Sequence, residues 1–146
     1  MIILDTNVIS ETYRDYPEDR VVDWLASLDR SRVTTTAVNI AELRMGVAIM
    51  PEGRKRKTLQ GLVDNTIASI GVDRIEVFSA TAAYKYGEVC GERHRIGRPI
   101  ETEDAMIAAI CIARGATLAT RNTKDFDGLR MTLINPWEYR PGPPVA

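Results

Sequence analysis

Histidine is nearly absent from this chain. His94 is the only one, in a basic helical-looking stretch far along the sequence, and general-base chemistry by histidine is left without support. Cysteine is scarce too. Cys90 and Cys111 both fall in helical-looking segments and read as reduced, packed thiols of a cytosolic protein. Aromatic residues make up only 6% of the chain, so no stacking platform is evident and base reading by stacking is not expected to dominate. Net charge is also missing: the formal value of −1 gives no global pull toward nucleic acid, and any polyanion site must be a local patch. No apolar run approaches the length of a membrane span. The opening "MIILDTN" has no basic start, and an acid interrupts its short apolar run, unlike a signal peptide. The expectation is a cytoplasmic protein with no membrane association.

What is present is ordinary globular material. At 146 residues, 45% hydrophobic and 27% charged, the chain is sized for one well-buried core. Short β-branched runs alternate with helix-like ones. The strand candidates are 2–4, 33–35, 75–78, 117–119 and 132–134, and most are separated by enough chain for the helical crossovers that parallel strands require. Helices are expected over 18–28, 37–49, 54–70, 80–96 and 103–114. In "TAVNIAELRMGVAIM", Val38, Ala41, Met45, Ala48 and Ile49 share a face at helical spacing. In "TEDAMIAAICIARG", Thr102 reads as an N-cap and Gly115 as the stop. There is no repeat, low-complexity tract or linker. The reading is an α/β fold: three layers, with a short, mostly parallel five-stranded sheet flanked by helices. A single domain covers 1–140, and the proline-rich tail 141–146 lies outside the core. Trp137 and Tyr139 are read as core packing.

Such folds place function on the loops after the strands. Asp5 ends the first strand and Glu42 sits in the second turn of the helix after the second. Asp104 is in the first turn of the helix entering the fourth strand, and Asn122 and Asp125 follow that strand. Each has a local use: Asp5 in a turn, Glu42 as an exposed helix acid, Asn122 and Asp125 in a turn before "FDGL". Asp104 at a helix amino end is typically worth about 0.3–1 kcal/mol. Parallel neighbouring strands would bring Asp5 and Asn122 to one sheet edge; Glu42 and Asp104 reach it only if their helices lean over it. Carboxylates gathered there would repel and raise one another's pKa, a conflict that a hard divalent cation removes. One or two such ions, Mg²⁺ or Mn²⁺, could polarise a phosphodiester, activate a water and stabilise the leaving oxygen.

The segments "IILDTNVIS", "TTTAVNIAELRMGV", "IETEDAMIAAICIARGATLATRNTKDF" and "LINPWEY" together resemble the PIN-domain ribonucleases, specifically the VapC/FitB-like toxins of bacterial type II toxin–antitoxin modules. The resemblance spans nearly the whole chain, in order. It implies a PIN-like parallel sheet and an acidic Mg²⁺/Mn²⁺ site that cuts RNA, tRNA among the candidate substrates. It places Asp5, Glu42 and Asp104 as metal-binding catalytic acids, with Asn122 at the fourth catalytic position, often aspartate and quite often asparagine in relatives. Asn122 there carries one less negative charge: either it orients a metal-bound water, or Asp125 leans in. Asn39 is a second departure, since relatives often have a hydroxyl residue there. Thr6 and Asn7 are expected to hydrogen-bond around Asp5, Thr36 to cap the Glu42 helix, and Thr120 to support the site's waters.

Positive charge gathers in three places: Arg54 to Lys57; Arg93, Arg95 and Arg98; and Arg121 with Lys124 beside Asn122. The first is either a solvated helix start or an arm steering the phosphate backbone. The others read as basic residues facing RNA or an antitoxin, since relatives are inhibited by a partner segment that inserts a basic side chain near the acids. Relatives also form homodimers. Haloacid-dehalogenase phosphatases open on a similar strand but need a second acid where this chain has Asn7, and a receiver domain needs adjacent acids after its first strand. The competing reading of another class is a non-catalytic homologue that acts with its antitoxin on operator DNA.

Overall fold

The computed structural model describes residues 1–143; the last three residues of the proline-rich tail lie outside the described residues. The chain forms, in order, β1 (Ile2–Leu4), α1 (Thr6–Thr12), α2 (Asp19–Ala26), β2 (Val33–Thr34), α3 (Ala37–Ala48) and α4 (Arg54–Ile70). Then come α5 (Ala80–Arg95), α6 (Thr102–Arg114), β3 (Thr117–Ala119) and β4 (Thr132–Ile134). All strand pairs are parallel, in the order β2-β1-β3-β4. No helix among the described residues is long and apolar enough to cross a membrane.

The three layers follow from the period of the strands. Alternate residues of a strand face opposite sides of the sheet. Ile3 and Leu118 therefore join one core, built with Val89 of α5 and Ile107 and Ile110 of α6. Ile2, Leu4 and Ala119 join the other, with Val8 of α1, Val21 and Trp24 of α2, and Val63 of α4. Burial on both faces explains why "IIL" and "TLA" lack polar alternation. Cys90 and Cys111 are free thiols, and burial pushes Cys111 up to about 12.

The sheet has four strands, not five. The run Ile75 to Phe78 touches the β2 side only at Glu76, whose N–H donates to the Thr35 carbonyl (3.0 Å) and whose carbonyl accepts from Ala37 N–H (2.8 Å). Pairing stops there because the partner segment leaves the sheet, Thr36 capping α3 and Ala37 beginning it, and Ser79 then turns the chain, its hydroxyl accepting from Ala82 N–H to start α5.

The expected buried face of α3 is also displaced. Val38 is buried, but Ala41, Met45, Ala48 and Ile49 are exposed, and the buried stripe is Asn39, Leu43 and Val47. That stripe begins with a polar residue, so a count of apolar positions selects its neighbour. The shift turns Asn39 toward the end of β1.

Candidate active site

Because every strand runs the same way, the carboxyl ends of β2, β1, β3 and β4 share one edge. Asp5 leaves β1 there, its N–H held by the Ala119 carbonyl at 2.9 Å. It is also the N-cap of α1 and is buried. Its Oδ1 accepts from Thr6 N–H (2.8 Å) and Asn39 Nδ2 (3.0 Å). Its Oδ2 accepts from Thr120 Oγ1 (2.7 Å) and Asn7 Nδ2 (3.1 Å). Four donors converge on one carboxylate, matching the number of its lone-pair directions.

Asn39 is the residue whose importance sequence reasoning missed. It is fully buried, and its Oδ1 accepts the Thr36 hydroxyl proton at 2.6 Å. Its amide donates to both Asp5 and Thr6 Oγ1, each at 3.0 Å. With its oxygen accepting the Asn39 N–H, Thr6 has its own hydroxyl hydrogen to donate to Glu42 Oε1, at 3.0 Å. A fully buried asparagine thus links two acids that come from different elements. The available signal was its position at the first turn of α3, one turn before Glu42. Thr36 caps α3 as expected, accepting from Asn39 N–H at 3.1 Å.

Glu42 and Asp104 are half-buried. Burial raises the Glu42 pKa, the Thr6 hydrogen bond opposes this, and the charges of Asp5 and Glu103 raise it further. Asp104 is pushed up to about 6, first by burial and then by Asp5, Asp125, Glu42 and Glu101. The Thr6 hydrogen bond brings Glu42 of α3 to the Asp5 edge, and Asp104 of α6 lies close enough to feel the charges of Asp5 and Glu42. Glu101 and Glu103 add to this field and were not singled out in the sequence. Thr102 is not the cap of α6: Glu101 occupies that position without a side-chain cap, and Thr102 is the first helical residue.

Thr120 is a second hub. Its hydroxyl donates to Asp5 and accepts from Asn7 Nδ2 (3.2 Å) and Asn122 N–H (3.1 Å). Asn122 is exposed, and among the described residues its side-chain amide has no hydrogen-bond partner. Asp125 N–H donates to the Asn122 carbonyl at 3.0 Å, which keeps both in one turn.

The basic residues divide sharply. Arg93 is not a surface cation: it is buried, and its guanidinium donates to the carbonyls of Arg98 (2.6 Å) and Asp125. It braces the loop that carries Asp125, because a guanidinium supplies several donors to a turn whose carbonyls lack other partners. Arg95 pairs with Glu92 (2.8 Å) and Arg98 with Asp127 (3.2 Å). Among the described residues Arg121 has no carboxylate partner; its guanidinium carbon lies over the Trp137 ring, 5.0 Å from the centroid. Lys124 is exposed, as is His94 at the end of α5.

Among the described residues, no ion pair engages Asp5, Glu42, Asp104 or Asp125. No three acidic, histidine or cysteine side chains form a ready-made metal cage among them either. The edge is an uncompensated acidic site with hydrogen-bonded support beneath it.

Comparison with known proteins places the chain in a family. The PIN domain family model matches residues 2–130. The chain is 38% identical over 137 residues to toxin FitB of Neisseria gonorrhoeae, covering 94% of this chain and 99% of FitB. It is 34% identical over 138 residues to VapC ribonuclease Y4jK of Sinorhizobium fredii, again covering 94% and 99%. Among solved structures, FitAB bound to an IR36 DNA fragment contains a chain that superposes with a TM-score of 0.89 at 36% identity. That match covers 96% of this chain and 98% of the other. The chain belongs to the PIN-domain family.

Proposed function

We propose that this protein is a metal-dependent ribonuclease, the toxin of a toxin–antitoxin module, which cleaves RNA phosphodiester bonds with water activated by Mg²⁺ or Mn²⁺. One observation carries the reading: Glu42 and Asp104, both half-buried, are pushed up by burial and by neighbouring acids, and no basic side chain compensates them. The names of the ribonuclease and toxin relatives support it.

The donor set fits a hard cation. Mg²⁺ binds through one or two carboxylates and retains several waters, so the lack of a three-acid cage is no obstacle. Glu42 and Asp104 would hold it, and Asp5 would join by exchanging one of its four hydrogen bonds, the 3.1 Å one from Asn7 being the longest. When bound, the ion would supply Lewis-acid activation of the phosphate and of a water. Asn39 and Thr120 hold Asp5 in place, Thr6 orients Glu42, and Asn122 offers a free amide at the rim.

The partners follow from the same reading: an antitoxin protein, and operator DNA reached through it, in keeping with the DNA-bound FitAB relative. The exposed Met45 and Ile49 on α3 support a homodimer. The free thiols suit the cytoplasm.

Antitoxin-free protein is expected to cut total tRNA or a structured RNA in Mg²⁺ and Mn²⁺, and EDTA to stop it. Folded protein that cuts no RNA in either metal would leave the non-catalytic regulatory role. Asn122→Asp restores an anionic ligand to the rim. It is expected to lower the Mn²⁺ concentration for half-maximal cleavage by about tenfold, the lower end of the usual effect of groups supporting a metal site. A metal titration with unchanged midpoint would remove Asn122 from the site.

A further inference from the structure

We propose that Arg121, laid over Trp137, is a stacking platform for one unpaired base of a single-stranded RNA segment whose backbone passes the acidic edge. The inference deepens the ribonuclease reading and rests on it. Trp137 follows β4, and its N–H donates to Asn135 Oδ1 at 3.0 Å, which fixes where the indole leaves the sheet. Part of the indole packs on the core that holds Val21 and Trp24. Over the ring lies the Arg121 guanidinium, at 5.0 Å, while Arg20 Nη1 donates to the Trp137 carbonyl at 3.3 Å.

Two further observations tie this pair to the acids. Arg121 N–H donates to Asn7 Oδ1 (3.1 Å), and the other end of the same amide donates to Asp5. The backbone from which the platform's guanidinium extends is therefore one side chain away from Asp5, at the same edge of a parallel sheet. Secondly, Arg95 and Arg98 are answered by carboxylates and Arg93 is buried, whereas Arg121 is exposed and, among the described residues, without one. A cation held by an aromatic ring keeps its charge for a phosphate and its outer planar face for a base. Duplex RNA hides its base faces in the stack, so the segment recognised is single-stranded. The few aromatics in the sequence gave no sign of this, because the platform has one ring and one guanidinium from separate strand ends.

Fluorescence titration of the full chain tests it, in an Asp104→Asn background so that the RNA survives. The probes are a mixed-sequence single-stranded RNA oligonucleotide and its duplex with the complement. The single strand is expected to change tryptophan emission, and Trp137→Phe to abolish that change, because the other tryptophan, Trp24, is buried. Arg121→Ala should weaken single-strand binding by about tenfold or more, the scale of one lost base stack. Arg121→Lys keeps the charge but not the plane, and should remain weakened. Arg121→Lys binding like the parent, or single strand and duplex binding alike, would overturn the platform. Unchanged RNA binding with lost capture of an antitoxin would assign the pair to the protein partner and overturn it equally. The parent reading is judged separately, with Asp104 intact. A chain that cuts RNA with no dependence on Arg121 sinks only the platform. A chain that never cuts, yet shows the Trp137 response, sinks only the nuclease.

Discussion

Replacing Asp104 with asparagine is expected to remove RNA cleavage and to make the metal-free protein more stable. The two effects share one cause. Asp104 is held half-buried, and burial first, then the charges of Asp5, Asp125, Glu42 and Glu101, raise its pKa to about 6 from an ordinary 3.8. Folding is therefore opposed by its negative charge. Well below about pH 4 the group is protonated in both folded and unfolded chains, and the destabilisation is absent. As pH rises from about 4 through 6 the folded chain binds the proton and the unfolded chain does not, so stability falls across that window. Solvent screening of a half-exposed group reduces the gain from Asp104→Asn to about 1–2 kcal/mol at pH 7.5, or about 3–6 °C in Tm. Cleavage is expected to fall by about 10²–10³-fold or more, as when one group stabilising developing charge is lost. Melting curves in EDTA at pH 4 and 7.5, beside a cleavage assay, read both. A variant no more stable than the parent at pH 7.5 contradicts the repulsion, and one that cuts normally contradicts the role.

Asn39→Asp is expected to be the most damaging change of similar shape in the molecule. The Asn39 amide donates to Asp5 and to Thr6 from a fully buried position. A carboxylate donates to neither, and it would stand 3.0 Å from an oxygen of Asp5 in a site without a compensating base. A buried, uncompensated charge commonly costs about 3–5 kcal/mol. That is a large part of the roughly 5–15 kcal/mol that holds a domain folded. The unfolding midpoint in urea should drop accordingly at pH 7.5 and recover as the pH is lowered and the new acid takes up a proton. Asn39→Ser, which retains a hydroxyl donor, should lose less. Equal midpoints for Asn39→Asp and the parent at pH 7.5 would show that Asn39 does not hold Asp5.

The five expected helices were legible because each carries its own signals, whereas the short α1 (Thr6–Thr12) was not among them. Arg54–Ile70 lies between two glycines, and α6 ends at Gly115 in the left-handed conformation glycine favours. The fifth strand was not legible. Ile75 to Phe78 has strand-like residues, but a strand exists only where a neighbour offers a ladder, and here the ladder ends after one residue. The face of α3 failed for a related reason: Asn39 is buried to satisfy hydrogen bonds from another element, which no apolar periodicity can encode.

By itself, the sequence determined the alternation of short strands and helices, and hence a layered α/β sheet. Through "LDTN", "AEL", "ETEDA" and "ATRN" it also determined which polar residues stand at strand ends and helix starts. Only the tertiary structure decided which of them meet. Parallel pairing brought Asp5 and Thr120 together across 115 positions of chain. It also buried Arg93 as a loop brace and left Arg121 lying on Trp137. Local propensity is written residue by residue along the chain, whereas burial and charge repulsion depend on distances that exist only once the sheet has closed.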